Sequence, residues 1–298
     1  MENLVLTPYK PQTLDDKVAS AIRILKLAEK EANGGKEVKE LPEVKPVEIA
    51  YSGGKDSDVL LQLAKEAGIH FRAIYKNTTI DPPGTMQHVR EMGVEVLQPK
   101  RNFFDVIRRK GMPTHARRHC CKVLKEYKVL DVCCQGIRTE ESEARKERYK
   151  TFEQCRIYSK NKRVRQYFPI WDWTLTDVKN FIIDRHLKLA PAYYREDGSI
   201  DFSRRLGCMG CPLAGDRSVG DFKQNPALLK AWLKAGAVWL KGHKFSRGEL
   251  FNDVYEQFAC NVFFKSYKMF DEARNAKMFG DKPDFKIMLE KYFEHELD

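Results

Sequence analysis

The sequence predicts an α/β fold, a doubly wound and mostly parallel sheet with helical additions at its N- and C-terminal ends. Three observations carry this. A buried apolar run, Val47, Ile49 and Ala50, breaks at Ser52-Gly53-Gly54 and resumes as the helical stripe Val59, Leu60, Leu61 and Leu63, which is the strand–turn–helix order of a βα unit. A second unit follows, with a strand from Phe71 to Tyr75 leading through a polar turn into a helix from Met86 to Met92. From about Ser218 helical stripes take over, such as Phe251, Val254, Tyr255, Phe258 and Val262, together with Trp232 and Trp239. The corresponding boundaries are 1–45 for an N-terminal helical segment, 46–217 for the sheet domain and 218–298 for a helical cap.

Composition narrows the class. With 298 residues the chain can bury a sizeable core, and 42% hydrophobic against 32% charged residues is globular. No apolar run reaches membrane-spanning length, and Met1-Glu2-Asn3-Leu4 has no signal-peptide form. The expectation is a cytoplasmic protein with no membrane partner. In such a chain eight cysteines read as metal or redox chemistry rather than disulfides. The net charge of +11 is concentrated between Lys100 and Arg165, where 20 Lys and Arg stand against 8 Asp and Glu. That field suits nucleic acid or a polyphosphate; alternatively, part of it neutralises a small anion and the rest is solvated surface.

In chain order, an extended segment holding Pro8 and Pro11 precedes Thr13, a natural N-cap. The stripe Val18, Ile22, Leu25 and Leu27 then continues to about Ala32 and stops at Asn33-Gly34-Gly35. The central stretch is Ser52-Gly53-Gly54-Lys55-Asp56-Ser57. Two glycines let the backbone approach an anion, the first-turn amides and the helix dipole favour negative charge, and Lys55, Ser52 and Ser57 add donors. The spacing is not that of the Walker loop. Gly68 ends the following helix, Glu95-Val96-Leu97 is a short strand and Phe103 to Arg109 a short helix. The run from Tyr127 to Cys134 is apolar enough for another strand, and it leads into Gln135-Gly136-Ile137-Arg138. An arginine at the carboxyl end of a parallel strand is placed to grip phosphate or sulfate, unless it pairs with Glu140 or Glu141. Residues Ala144 to Arg165 read as a mobile basic loop or lid with Tyr149, Phe152 and Tyr158 interleaved. Thr174 is an N-cap with Asp177 three residues on.

Two cysteine groups stand out. Cys208-Met209-Gly210-Cys211 is a Cys-x-x-Cys on a glycine turn, able to bring two thiolates to one metal. Cys120-Cys121 follows Arg117-Arg118-His119, where nearby cations favour thiolate. Cys133-Cys134 lies inside an apolar strand and reads as structural, and Cys155 and Cys260 as ordinary thiols.

Ser52 to Ser57 resembles the PP-loop of the N-type ATP pyrophosphatases, and more narrowly of the phosphoadenylyl sulfate (PAPS) reductase family. The turn Lys76 to Thr85 is similar to that family's Asp-Thr-Gly and Pro-Glu-Thr turn, with Asn77 in place of Asp, Thr79 of Gly and Gly84 of Glu. Gly136-Ile137-Arg138 with Ser142 and Arg145 resembles its strand-end signature, and Pro169 to Val178 its strand before an Asp-Val helix. The resemblance spans roughly Ile49 to Pro212. It implies an adenine nucleotide α-hydrolase-like fold and a nucleotide held by Ser52, Gly53, Gly54, Lys55, Asp56, Ser57, Asn77, Thr78, Thr79, Gly136, Ile137 and Arg138, with Lys55 and Arg138 as catalytic candidates. The vicinal pair with a distant Cys-x-x-Cys is similar to the 4Fe-4S ligand set of adenylyl sulfate reductases and phosphorothioation enzymes, which implies Cys120, Cys121, Cys208 and Cys211 as ligands. Zinc on the same thiols is the competitor.

The leading functional expectation is an ATP pyrophosphatase that adenylates an acceptor for sulfur insertion. Mg2+ and Lys55 would balance the leaving group, a sulfur-donor or thiol-reductant protein would be its partner, and region 100–165 would bind a nucleic-acid acceptor. The rival is a PAPS or adenylyl sulfate reductase drawing on an external thiol, because no cysteine follows Cys260 to match the reductases' Glu-Cys-Gly tail. A third reading, from another class, is a nucleic-acid-binding or redox-sensing module without turnover.

Overall fold

The structure, a computed structural model, describes residues 13–159, 162–242, 251–264, 266–275 and 284–297. The segment carrying Pro8 and Pro11 lies outside these. In chain order the described elements begin with α1 (Leu14–Ala32), β1 (Val47–Tyr51), α2 (Lys55–Ala67), β2 (Phe71–Lys76), α3 (Thr85–Glu91), β3 (Glu95–Leu97), α4 (Phe103–Lys110) and α5 (His119–Leu124). They continue with β4 (Val132–Gln135), α6 (Glu143–Arg148), β5 (Glu153–Ser159), β6 (Lys162–Tyr167), α7 (Leu175–Asp184), α8 (Asp216–Gln224), α9 (Pro226–Gly242), α10 (Val254–Phe263), α11 (Tyr267–Asn275) and α12 (Phe285–Phe293). Among the described residues no helix is long and apolar enough to cross a membrane. The chain divides into two units, one of Met1–Tyr75, Pro83–Leu97 and Lys128–Leu206, the other of Lys76–Pro82, Gln98–Tyr127 and Gly207–Asp298.

The first unit holds the sheet, a six-stranded α/β array in the order β3-β2-β1-β4-β6-β5. Strand β1 pairs in parallel with β2, Val47 opposite Phe71 and Tyr51 opposite Tyr75, and on its other edge with β4, Glu48 opposite Cys133. Strand β6 adds in parallel to β4, and β5 closes the edge antiparallel to β6. The chain winds outward from β1 to β3 and then returns to the opposite side of β1. The loops after β1 and β4 therefore leave in different directions and open a crevice at the carboxyl ends of these strands, the site that doubly wound sheets offer to ligands. Strand β4 is shorter than the apolar run from Tyr127 predicts, because Lys128 takes a left-handed φ of 48° that interrupts extension. Cys133 and Cys134 are both buried, as a strand covered on both faces requires.

Helix α1 starts at Thr13 in a capping box with Asp16 and buries Val18, Ala21, Ile24, Leu25 and Ala28. Leu27, predicted on that stripe, is instead exposed, since two residues beyond Leu25 the helix has turned to its outer face. Thr174 caps α7 as expected, and its Asp177 also takes the Lys17 ammonium at 2.5 Å.

Region 144–165, read as a mobile loop, is a correction. Helix α6 is followed by the β5–β6 hairpin, with residues 160 and 161 outside the described set. Along β6, Arg163 and Arg165 face solvent while Val164 and Gln166 are buried. An alternating strand can thus carry a high positive charge on one face. The aromatics are taken up in packing: Tyr149 meets Phe168 edge-on at 4.9 Å, and the Arg156 guanidinium lies 4.8 Å from the Tyr158 ring centroid.

The second unit is helical. Its core gathers Phe222, Trp232, Phe258 and Phe293, with Phe222 edge-on to the other three at 5.3, 5.0 and 6.3 Å.

Candidate functional site

In the first unit the turn from β1 into α2 is built by close packing. Gly53 has φ 75°, and a Cβ there would lie 2.8 Å from the Thr85 methyl, so a larger residue would meet both strain and a clash. Gly136, at the end of β4, approaches the first turn of α2 so closely that a Cβ would sit 2.7 Å from the Asp56 carbonyl oxygen. Within the loop, Ser57 Oγ accepts from the Ser52 amide at 3.2 Å and donates to Gly54 O at 2.7 Å. The Lys55 amide donates to the Tyr193 hydroxyl at 3.0 Å, so not every first-turn amide is open to an anion.

A cavity of about 180 Å³ lies over this turn, lined by Ser52, Gly54, Lys55, Asp56, Ser57, Gly136, Ile137, Glu141, Arg145, Tyr193 and Arg205 among others. Lys55 is 3% exposed; its ammonium stands 3.4 Å from Asp56 and 3.3 Å from the Arg204 carbonyl. Burial lowers the Lys55 pKa, and Asp56 opposes the shift. Glu141 pairs with both Arg145, at 2.8 Å, and Arg205. Arg138, a predicted site residue, is buried. Its guanidinium engages Asp56 at 2.6 Å and Glu140 at 2.8 Å, so it braces Asp56 while Arg145 and Arg205 line the cavity. The strand-end Gly-x-Arg pattern drew attention to Arg138, and Arg205 carried no local signal beyond its place beside the Cys-x-x-Cys.

Beneath the loop is a buried network absent from the sequence reading. Asp58 accepts from the Tyr51 hydroxyl and lies 2.9 Å from His88 Nε2. Asp58 Oδ2, His88 Nδ1 and Thr85 Oγ1 are buried without partners. Burial drives the Asp58 carboxyl above the usual carboxylate range, and the bonds from His88 and Tyr51 only partly offset it.

The second unit holds the remaining predicted residues. Asn77 and Thr79 shape their own turn: Asn77 Oδ1 accepts from the Thr79 amide at 2.8 Å, and Thr79 Oγ1 accepts from the Phe103 amide at 2.8 Å. Thr79 has φ 62°, a conformation that suits the glycine usual at this place better than a β-branched residue. Thr78 is buried, and Cys208 Sγ lies 3.4 Å from its hydroxyl.

The four predicted metal ligands meet on a single cavity of about 190 Å³, lined by Cys120, Cys121, Cys208 and Cys211 with Thr78, Pro113, Leu124, Lys125, Leu213 and Arg217 among others. All four are free thiols. Cys120 and Cys121 open α5. The turn carrying Cys208 and Cys211 is anchored by the Met209 amide on Ile80 O at 2.8 Å and the Gly210 amide on Asp221 at 2.9 Å. Cys121 is drawn down to about 6 by the bond from Cys120, with Lys125 and Arg118 adding to the effect, while Cys120 is pushed up in return. Among the described residues no three His, Cys, Asp or Glu side chains already stand as a closed metal cage. Four thiols on one largely apolar cavity are nevertheless the donor chemistry of a thiolate-bound iron–sulfur cluster.

The family model of the phosphoadenosine phosphosulfate reductase domain matches residues 46–214. The chain belongs to this family. Among curated relatives, the uncharacterized protein MJ0973 of Methanocaldococcus jannaschii is 30% identical over 203 residues, 63% of this chain and 46% of the relative. Its counterpart MJ0066 from the same organism is 24% identical over 221 residues, 68% of this chain and 44% of the relative. The chain thus spans less than half the length of these relatives. Solved structures with partial likeness include PAPS reductase from Candida auris in a phosphate complex, 15% identical with a TM-score of 0.39, covering 65% of this chain and 96% of that one. Another is the U34-tRNA thiolase NcsA from Methanococcus maripaludis with its [4Fe-4S] cluster, 16% identical with a TM-score of 0.39, covering 83% and 87%.

Proposed function

We propose that this family member is an ATP pyrophosphatase of sulfur transfer, which binds an adenine nucleotide at Ser52 to Ser57 and adenylates an acceptor with release of pyrophosphate. The observation that carries this reading is the mixed charge of the loop cavity, in which Lys55, Arg145 and Arg205 face it together with the carboxylates of Asp56 and Glu141. Cations suit the phosphates, and hard carboxylate oxygens suit the Mg2+ that accompanies ATP. A bare sulfonucleotide would meet the same carboxylates as repulsion.

Each group then has a task. Lys55, desolvated and fixed between Asp56 and the Arg204 carbonyl, offsets charge that grows on the departing pyrophosphate. Arg145 and Arg205 can exchange their shared Glu141 for phosphate oxygens, and Arg138 holds Asp56 in place. Cys120, Cys121, Cys208 and Cys211 would hold a 4Fe-4S cluster, which would supply thiophilic iron for handling sulfur.

Pyrophosphate release from ATP, measured anaerobically with PAPS assayed in parallel, tests the reading. Lys55→Ala should lower the rate by roughly 100-fold or more. Sulfite formation from PAPS with a dithiol reductant, and no pyrophosphate from ATP, would replace it with a sulfonucleotide reductase.

A further inference from the structure

Within the first unit, Lys55 is held by a part of the chain far from its own loop. Its carboxylate neighbour Asp56, at 3.4 Å, is shared with the Arg138 guanidinium at 2.6 Å, so the ammonium has the weaker claim on it. Further contacts come from the segment between Ala190 and Leu206. Arg204 O accepts from the ammonium at 3.3 Å, and the centroid of the Tyr193 ring lies 5.7 Å from Lys55 Nζ. An aromatic face attracts a cation, and the attraction grows where water is excluded. Both partners are shielded here, Lys55 being 3% and Tyr193 1% exposed.

Tyr193 holds the backbone of the same lysine as well. Its hydroxyl oxygen accepts from the Lys55 amide at 3.0 Å, across 138 positions of sequence. That bond needs the ring to approach the turn closely, and a Cβ at Gly54 would lie 3.4 Å from the hydroxyl. The tyrosine is itself fixed. It closes the short 3-10 turn Pro191–Tyr193, its amide donates to Ala190 O at 2.9 Å, and its carbonyl accepts from the Asp201 amide at 2.8 Å. Pro191 packs on Gly84, where a Cβ would meet the proline ring at 3.0 Å. One anchored side chain thus meets Lys55 at both ends, main chain and ammonium.

We propose that Tyr193 is the positioning residue of Lys55: its hydroxyl fixes where the lysine leaves the backbone, and its ring fixes where the ammonium comes to rest. This deepens the reading of the loop as the site of pyrophosphate release, and it rests on that reading. A lysine carries its charge on a flexible stem. Without such a stop the ammonium would spread over positions that do not match the leaving group, and misplacement of about 1 Å is enough to cost much of a positioned group's effect.

The test is a double-mutant cycle on the full chain, with Tyr193→Phe and Tyr193→Met each made alone and together with Lys55→Ala. Phenylalanine removes only the hydroxyl, whereas methionine also removes the ring and still fills much of its space. With Lys55 present, Tyr193→Phe should lower kcat for pyrophosphate release by roughly ten-fold and Tyr193→Met by more, with KM for ATP changed by less than about three-fold. Affinity for inorganic pyrophosphate, measured by calorimetry and needing no turnover, should fall in the same order. In Lys55→Ala neither substitution should cause a further loss, because the group they position is gone. A merely structural tyrosine would cost the same in both backgrounds, and that result overturns the proposal. So does an unchanged kcat and pyrophosphate affinity in Tyr193→Met. If the unsubstituted chain releases no pyrophosphate from ATP, the reading of the loop falls, while the cycle on pyrophosphate affinity still decides the role of Tyr193. Absence of pyrophosphate binding altogether overturns both.

Discussion

The loop cavity and the cysteine cavity are finished to different degrees. Around Ser52 to Ser57 the backbone itself is the mould: Gly136 against the Asp56 carbonyl, Gly53 against Thr85, and Arg138 bracing Asp56 from below. That arrangement needs no ligand to hold it. Four thiols share the other cavity, yet among the described residues no three ligating side chains are gathered into a cage. A phosphate cradle made of packed backbone can be complete before its ligand arrives. A thiolate site draws its last ordering from the metal, whose binding free energy then becomes folding free energy.

The sharpest way to break this contrast is to remove one thiol. Cys208→Ser should abolish iron and acid-labile sulfide in anaerobically purified protein and lower its thermal midpoint, while nucleotide binding at the loop is retained. Cys133→Ser should keep the iron, since Cys133 lies buried in β4. Colourless protein holding zinc under anaerobic conditions would count against the cluster.

A smaller effect is expected from the cradle. Gly136→Ala forces a methyl against the backbone carbonyl of Asp56, which cannot rotate away as a side chain would. Denaturant unfolding should register a loss of about 1–3 kcal/mol, with weakened ATP binding measured by calorimetry. Iron content should not change.

Much of this was legible in advance, for reasons that differ from part to part. The βα units and the caps at Thr13 and Thr174 are local signals, where a few residues decide the backbone. The four cysteines stand far apart in the sequence, and folding brings them to one cavity. What escaped the sequence was the work of partners distant in the chain. The sequence offers Arg138 either a phosphate or a nearby glutamate, and its partner Asp56, 82 positions away, is found only in the fold. Arg205 and Glu141 are 64 positions apart. The hairpin at 153–167 was hidden because lysines and arginines mask a pattern whose buried members, among the described residues, are Val164, Gln166 and Tyr167.

The Asp58 network gives a subtler test of how rigid the cradle is. Folding raises the Asp58 pKa, so the folded state keeps a proton that the unfolded chain releases near the ordinary carboxylate value of 3.8. Stability from this group is therefore greatest at low pH and declines as pH rises from there through the folded-state value. Asp58→Asn should flatten that dependence in urea titrations across the acidic range. It should also remove about 1–3 kcal/mol, because the amide cannot serve Tyr51 and His88 as the carboxyl does.

The smallest effect separates crowding from glycine content as such. Gly220 lies within α8, where a Cβ would meet nothing within 4 Å. Gly220→Ala adds the same methyl as Gly136→Ala but removes only unfolded-state freedom, so it should stabilise the chain by about 0.5–1 kcal/mol. Opposite signs for the two substitutions in the same unfolding experiment would tie the glycine requirement to the contact with Asp56. Equal losses at both positions would mean that the cradle is no tighter than a helix position with open space around its Cβ, and the contrast between the two cavities would lose its structural basis.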